Sequence, residues 1–203
     1  MLKAHGLKCV RGDTELFSNL EFSVKSGEAL VVKGENGSGK TSLLRILCGF
    51  SHPVEGDVTW CDESIFRHDS FRQQISYVGH QSGVKMDLTV LENLSFMQRL
   101  AGEGGDTSKL KELARYVGLF KQRNVLTRKL SAGQVRRVAL AKLLLEQRSI
   151  WVLDEPLTAL DKEFIVKFEL DLKNHLDKLG LLVVTTHREL KLPEFRVKQI
   201  TLS

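Results

Sequence analysis

Three short, mainly apolar runs, Ala29–Val32, Ile150–Leu153 and Leu181–Thr186, have the length and flanks of strands buried on both faces. Helical texture surrounds them. Ser42–Leu47 is leucine-rich behind the first run, the stretch from Ser131 to Leu145 precedes the second, and a helix ending at Gly180 precedes the third. Near-continuous apolar strands alternating with helices predict a parallel α/β sheet covered on both faces. Leu7–Val10 and Leu16–Val24 read as strands broken by the turn Arg11–Gly12–Asp13, with polar and apolar residues alternating in the second. Gly49 is the expected stop of the helix behind the first run, and Asp57–Trp60 and Ile75–Val78 read as further short strands.

From residue 82 to residue 130 the pattern becomes helices with polar loops. Thr89 with Glu92 three positions on forms a capping box ahead of Val90–Leu94. Beyond the Gly-rich loop Gly102–Gly105, residues Leu110, Leu113, Ala114 and Val117 follow i, i+3, i+4, i+7. The expectation is one domain over 1–203, with its core in 1–81 and 131–203 and a helical insertion at 82–130.

Composition narrows this little. With 203 residues, 42% hydrophobic and 27% charged, the chain can bury a sizeable core, and disorder is excluded as the default. Cys9, Cys48 and Cys61 form no C-x-x-C pair and are odd in number, which suits free thiols in a reducing compartment. No apolar run approaches the roughly 20 residues of a membrane span, and Met1–Gly6 lacks a signal-peptide core, so a cytosolic chain or one bound to the inner face of a membrane is expected. The net charge of +5 permits contact with acidic headgroups or with nucleic acid. Aromatic residues, 7% of the chain, do not alternate with basic ones, so the stacking platform of a single-strand binder is not present.

The candidate chemistry begins at Gly34–Glu35–Asn36–Gly37–Ser38–Gly39–Lys40–Thr41, which fits G-x-x-x-x-G-K-[ST] between an expected strand and an expected helix. Glycines there let the backbone N–H groups turn inward as an anion nest, and the helix adds the positive end of its dipole. Lys40 then reaches the β- and γ-phosphates, and the Thr41 hydroxyl holds Mg²⁺. A plain Gly-rich turn carrying a lysine is the competing reading. A dinucleotide fingerprint fails, since Ser42 stands where a third glycine is needed.

Asp154 and Glu155 follow a buried strand, at the edge where α/β sheets place ligands. Asp154 fits as a ligand of Mg²⁺ or of its water, and Glu155 as the base that polarises an attacking water. The bland alternative is a solvated loop starting ahead of Pro156. His187 ends the next strand and is placed to orient the γ-phosphate or the water, although a lone histidine there is more often structural. Ser131 is a reasonable N-cap, and the small residues after it leave N–H groups open to an anion.

In this order the motifs resemble the ATP-binding subunits of ABC transporters. Gly34–Thr41 match the Walker A motif, Ile150–Glu155 the Walker B motif with its catalytic glutamate, and Ser131–Gln134 the family signature; Gln81 falls at the Q-loop, Asp161 at the D-loop and His187 at the switch histidine. The resemblance implies a P-loop NTPase cassette with a mixed sheet core, an antiparallel β subdomain and an inserted helical subdomain. It implies an ATPase with ATP and Mg²⁺ as cofactors, in which Gln81 also serves the metal. It implies a dimer of ATP-binding chains in which Ser131, Gly133 and Gln134 meet the nucleotide held by the other chain, and a helical insertion that contacts an integral membrane permease subunit. Two departures stand out. The second glycine of the signature is Ala132, which keeps its N–H. At the adenine-stacking position stand Cys9–Val10–Arg11, and Arg11 can stack by its guanidinium plane.

Within that family, Tyr77–Lys85, Leu88–Leu94 and Leu43–Gly49 resemble the haem-exporter cassettes of bacterial cytochrome c maturation, the pair Gly79–His80 being the most diagnostic. That likeness implies a peripheral protein on the cytoplasmic face of the inner membrane. Its partners are haem-handling membrane subunits, with no nucleic acid, and ATP hydrolysis is coupled to haem export or to release of a haem-loaded chaperone. His80 reads as a packing or coupling residue rather than a haem ligand. A cassette of a different exporter and a soluble ABC ATPase acting on ribosomes or DNA remain open on these residues. Intact Lys40, Asp154 and Glu155 argue against a non-catalytic nucleotide sensor.

Overall fold

The computed structural model describes residues 1–202 other than 68, 103 and 105, so Glu103 and Gly105 of the expected glycine-rich loop lie outside the described residues. Two units divide the chain: Met1–Tyr77, Arg148–Glu155 and Glu169–Ser203 form the first, Val78–Gln147 and Pro156–Phe168 the second.

The first unit holds two sheets. β1 (Leu2–Arg11) and β2 (Thr14–Val24) form a hairpin turning at Gly12, with Arg11 opposite Thr14 and Leu2 opposite Val24. The first strand starts earlier than its sequence pattern predicts. Its buried residues Leu2, Ala4 and Leu7 break the period of two because the pairing register slips between Ala4 and Leu7, so the alternation cue fails there. β4 (Glu55–Trp60) pairs antiparallel with β1, and the short β5 (Glu63–Ser64) completes the order β2-β1-β4-β5. A four-residue helix, α2 (Asp69–Arg72), follows.

The second sheet has the order β6-β7-β8-β3-β9, built from β3 (Ala29–Gly34), β6 (Ile75–Val78), β7 (Ile150–Asp154), β8 (Leu181–Thr185) and β9 (Val197–Leu202). β7 with β8, β8 with β3, and β3 with β9 are all parallel. Every residue of β7 and β8 is buried, which is why both are continuous apolar runs. β9, absent from the sequence reading, is an edge strand that carries Lys198, Gln199 and Thr201 and buries only its last residue, Leu202.

α1 (Lys40–Leu47) buries Leu43, Leu44, Ile46 and Leu47. They join one cluster with Leu2, Leu7 and Val58 of the antiparallel sheet and with Leu30, Val152 and Val183 of the parallel one. Each such side chain contributes about 1.5–3 kcal/mol relative to exposure, so the cluster fixes where the loop ahead of α1 sits. Gly49 takes the left-handed conformation (φ 68°) just past α1, as its sequence position predicts. At the end of α6 (Lys162–Asp177) the outcome differs: Leu179, not Gly180, is the left-handed residue (φ 61°). A Cβ on Gly180 would lie 2.3 Å from the His175 ring, so glycine stands there for space rather than for backbone freedom. That ring stacks on Trp151 at 4.0 Å, and burial lowers its pKa to about 4.

The second unit is helical. α3 (Val90–Leu100) starts on the Thr89–Glu92 capping box, α4 (Thr107–Tyr116) on the Asp106 side chain, and α5 (Ala132–Glu146) on a Ser131–Gln134 capping box. The unit takes in the 82–130 segment together with α5 and residues 156–168. Buried Asn93 ties its loops together, donating to the Lys85, Leu88 and Thr89 carbonyls and accepting from the Lys85 N–H. Among the described residues no helix is long and apolar enough to cross a membrane.

Candidate active site

β3 ends at Gly34, where a Cβ would fall 2.4 Å from Ser38 Oγ and 2.6 Å from the Leu202 carbonyl, so the loop can close only around a glycine. Gly37 and Gly39 are left-handed (φ 90° and 93°). Gly39 caps α1 without a side chain, leaving the first-turn N–H groups to be satisfied by something other than a capping side chain. Among the described residues Ser38 Oγ is buried with no hydrogen-bond partner. Lys40 Nζ donates to the Gly34 and Glu35 carbonyls, 2.8 Å each, so the ammonium is held across the loop's opening. Uncapped N–H groups, an orphaned hydroxyl and a fixed cation fit an anion with several acceptor oxygens, which is what a polyphosphate presents.

Behind α1, the Thr41 hydroxyl donates to Asp154 Oδ2 at 2.7 Å, and the Thr185 hydroxyl donates to Asp154 Oδ1, also at 2.7 Å. Asp154 is 2% exposed. Thr41 Oγ1 and Asp154 thus form an oxygen pair of the kind Mg²⁺ takes alongside phosphate and water. The Glu155 N–H donates to the Thr185 carbonyl (3.2 Å) and hydroxyl (2.9 Å), while Glu155 itself is left-handed at φ 48°. Such a conformation in a residue other than glycine persists only where its surroundings hold it, and here Thr185 does so. The carboxylate is thereby aimed at the end of β8, where Glu155 Oε1 lies 3.4 Å from His187 Nε2. His187 is largely exposed and Glu155 much less so.

Lys40, Thr41, Asp154, Glu155 and His187 all belong to the first unit. Arg11 is exposed at the hairpin end of β1, two residues beyond Cys9, whose thiol burial raises in pKa and Ser42 hydrogen-bonds. Leu16 and Phe17 of the same hairpin pack beside Gly39, within 3.0–3.3 Å of where its Cβ would be.

The remaining candidates lie in the second unit. Gln81 is exposed in the loop after β6, and His80 beside it is exposed as well. The Ser131 hydroxyl accepts from the Gln134 N–H, and the Gln134 side chain accepts from the Ser131 N–H, so both side chains are engaged in setting the start of α5. A Cβ on Gly133 would sit 2.4 Å from the Ala159 carbonyl, whereas Ala132 is exposed, which is why alanine is tolerated at one position and not at its neighbour. Asp161 accepts from the Phe164 N–H and from Arg137, and these hold its carboxyl below the usual range.

Sequence reasoning missed Thr185 and Arg136. Thr185 ends an apolar run with a hydroxyl, a signal readable once Asp154 is known to be its neighbour in the sheet. Arg136 gives no such signal, because the first of two adjacent arginines early in a helix reads as a solvated side chain, yet it is buried.

A Gly-rich loop between strand and helix, backed by an acidic residue at the carboxyl edge of a parallel sheet, defines a P-loop nucleotide-binding cassette. The family model for ABC transporters matches residues 17–158. The chain belongs to that family. It is 44% identical over its whole length to the cytochrome c biogenesis ATP-binding export protein CcmA of Nitrosomonas europaea, covering 96% of that protein. It is 40% identical to the proteins of the same name from Vibrio vulnificus and Escherichia coli, covering 99% and 97% of them. Among solved structures, a dimeric ATP-binding cassette in a post-hydrolysis state bound to ADP and Pi superposes with a TM-score of 0.84 at 26% identity, over all of this chain and 94% of that one. A cassette of Pyrococcus furiosus shares the fold at a TM-score of 0.83.

Proposed function

We propose that the chain is the ATP-hydrolysing subunit of an ABC complex serving cytochrome c biogenesis, coupling ATP turnover to haem export or to release of a haem-loaded chaperone. The observation that carries the ATPase reading is the chain of hydrogen bonds from Thr41 through Asp154 and Thr185 to the Glu155 backbone, which joins the phosphate loop to the acid beyond β7. The pathway rests on full-length identity to proteins named for it.

ATP lays its phosphates on the N–H groups of residues 34–41, and Lys40 exchanges the Gly34 and Glu35 carbonyls for phosphate oxygens. Mg²⁺, when bound, neutralises charge on the β- and γ-phosphates; Thr41 and Asp154 would hold it, and Gln81 is the third group we assign to it. Glu155 takes a proton from water as the water oxygen bonds to the γ-phosphorus and the bond to the β-phosphate oxygen breaks, releasing ADP and phosphate. His187 steadies the Glu155 carboxylate and the γ-phosphate. Arg11 stacks on adenine. Ser131, Gly133 and Gln134 serve the nucleotide of a second chain, so the working unit is a dimer. The partners are haem-handling permease subunits, and the protein is peripheral on the cytoplasmic face of the bacterial inner membrane.

Purification of tagged Glu155→Gln protein from detergent-solubilised membranes with ATP tests the reading. Co-eluting membrane subunits with haem absorbance are expected. A different permease without haem would overturn the pathway and keep the ATPase; recovery in the soluble or ribosomal fraction would overturn the membrane partnership.

A further inference from the structure

Arg136, in the second turn of α5, is only 7% exposed. Its Nη1 donates to the Gly79 carbonyl at 2.7 Å and its Nε to the Pro156 carbonyl at 3.2 Å. Gly79 stands two residues ahead of Gln81, and Pro156 directly follows Glu155. The chain passes from the first unit to the second between Tyr77 and Val78 and again between Glu155 and Pro156. One guanidinium therefore joins the second-unit ends of the two crossings that adjoin Gln81 and Glu155.

Burying a guanidinium is costly unless its donors are used, and a well-packed apolar side chain would fill the same space at lower cost. The arginine fork is planar and rigid, so its donors fix the angle between two carbonyls as well as their distance. An ammonium at the end of a lysine stem is a point charge and imposes no such angle. The second arginine, Arg137, does a different job, pairing with Asp161 at the start of α6.

We propose that Arg136 is a positioning residue that ties Gly79, ahead of Gln81, to Pro156, behind Glu155, and so sets the backbone from which each of these two side chains reaches the nucleotide. This rests on the roles assigned above to Gln81 and Glu155. Through its bonds to the Gly79 and Pro156 carbonyls Arg136 acts on the two residues it places.

Arg136→Lys and Arg136→Gln, compared with wild type in the complete complex with its membrane subunits, test the proposal by steady-state ATPase kinetics and amide hydrogen exchange. Both variants should lower kcat about 10-fold or more while leaving the KM for ATP unchanged, because contacts made by the phosphate loop stay intact. Exchange should quicken at residues 79–82 and stay unchanged in α1 and α4. Wild-type kcat and wild-type exchange in both variants would overturn the proposal. So would kcat, KM and exchange deteriorating together throughout the chain, since that marks a purely structural arginine. A wild-type complex without turnover would refute the proposed hydrolysis instead, and the exchange measurement would then decide the role of Arg136 by itself.

Discussion

The Thr41 hydroxyl and the Asp154 carboxylate, 113 positions apart in the chain, meet in a hydrogen bond of 2.7 Å that joins the phosphate loop to the end of β7. Both residues are fixed from behind, Thr41 by the buried face of α1 and Asp154 by the second bond it accepts from Thr185. Preorganisation of this kind lets a metal and a polyphosphate bind without first rearranging the protein.

Replacing Thr41 by Ala removes one of the hydrogen bonds to a carboxylate that is almost fully buried. The expected loss is about 1–2 kcal/mol of stability, or a few degrees in Tm for a chain of this size. Mg²⁺-dependent ATP affinity should fall more steeply than affinity measured in EDTA. Thermal melts and nucleotide titrations with and without Mg²⁺ check both effects, and equal losses in the two titrations would remove Thr41 from the metal.

Glu155→Gln keeps the size of the side chain and abolishes the base. Nucleotide affinity should stay within a few-fold of wild type, while turnover in the complete complex drops by on the order of 100-fold or more. Near-normal turnover would take Glu155 out of the base role.

Arg11→Ala should weaken ATP binding about 5-fold, as expected for the loss of one exposed cation–π or stacking contact, with GTP affected similarly because the contact is to a ring face. Unchanged affinity for both nucleotides would show that adenine is held elsewhere.

Gly180→Ala should destabilise the protein by about 2 kcal/mol or more, because the added methyl group has the His175 ring, itself stacked on Trp151, in its way. In a His175→Ala background the same substitution should cost far less. Denaturant unfolding of the four proteins of this cycle measures the coupling, and simple additivity would refute the clash.

The same histidine sets a pH dependence. Its folded pKa of about 4 lies below the unfolded value, because burial disfavours the imidazolium more than the Leu181 carbonyl favours it, and the Lys178 charge disfavours it further. Between roughly pH 6.5 and 4 the unfolded chain takes up a proton that the folded chain refuses, so stability falls as pH falls through that window, by up to roughly 3 kcal/mol. Above about pH 7 the histidine contributes no slope. Unfolding free energies of wild type and His175→Gln between pH 4 and 8 should converge at the acid end, and parallel curves would show that His175 titrates normally.

The β3–loop–α1 segment, β7, β8 and the caps of α3 and α5 were legible because each is set by neighbours in sequence. A strand covered on both faces must be continuously apolar, and a cap needs a hydroxyl or carboxylate at the right place. The register slip in β1 was not legible, because it breaks the alternation by which strands are read, and β9 was missed because its alternation, Gln199–Leu202, covers only four residues. The reason for a glycine at 180 was not legible either, because the His175 ring that needs its space is invisible without the packing.

The local chemistry is written along the chain: a loop that can wrap an anion, an acidic pair after a buried strand, and a capped helix with small residues at its head. Short-range sterics and hydrogen bonding dictate these whatever the rest of the chain does. It takes the folded chain for Thr185 to share Asp154 with Thr41, for its hydroxyl and carbonyl to hold Glu155 left-handed within reach of His187, and for Arg136 to be buried between two carbonyls far apart in sequence. Such pairings depend on strand order and on which helix face is covered, and these follow from the whole buried core rather than from any one segment.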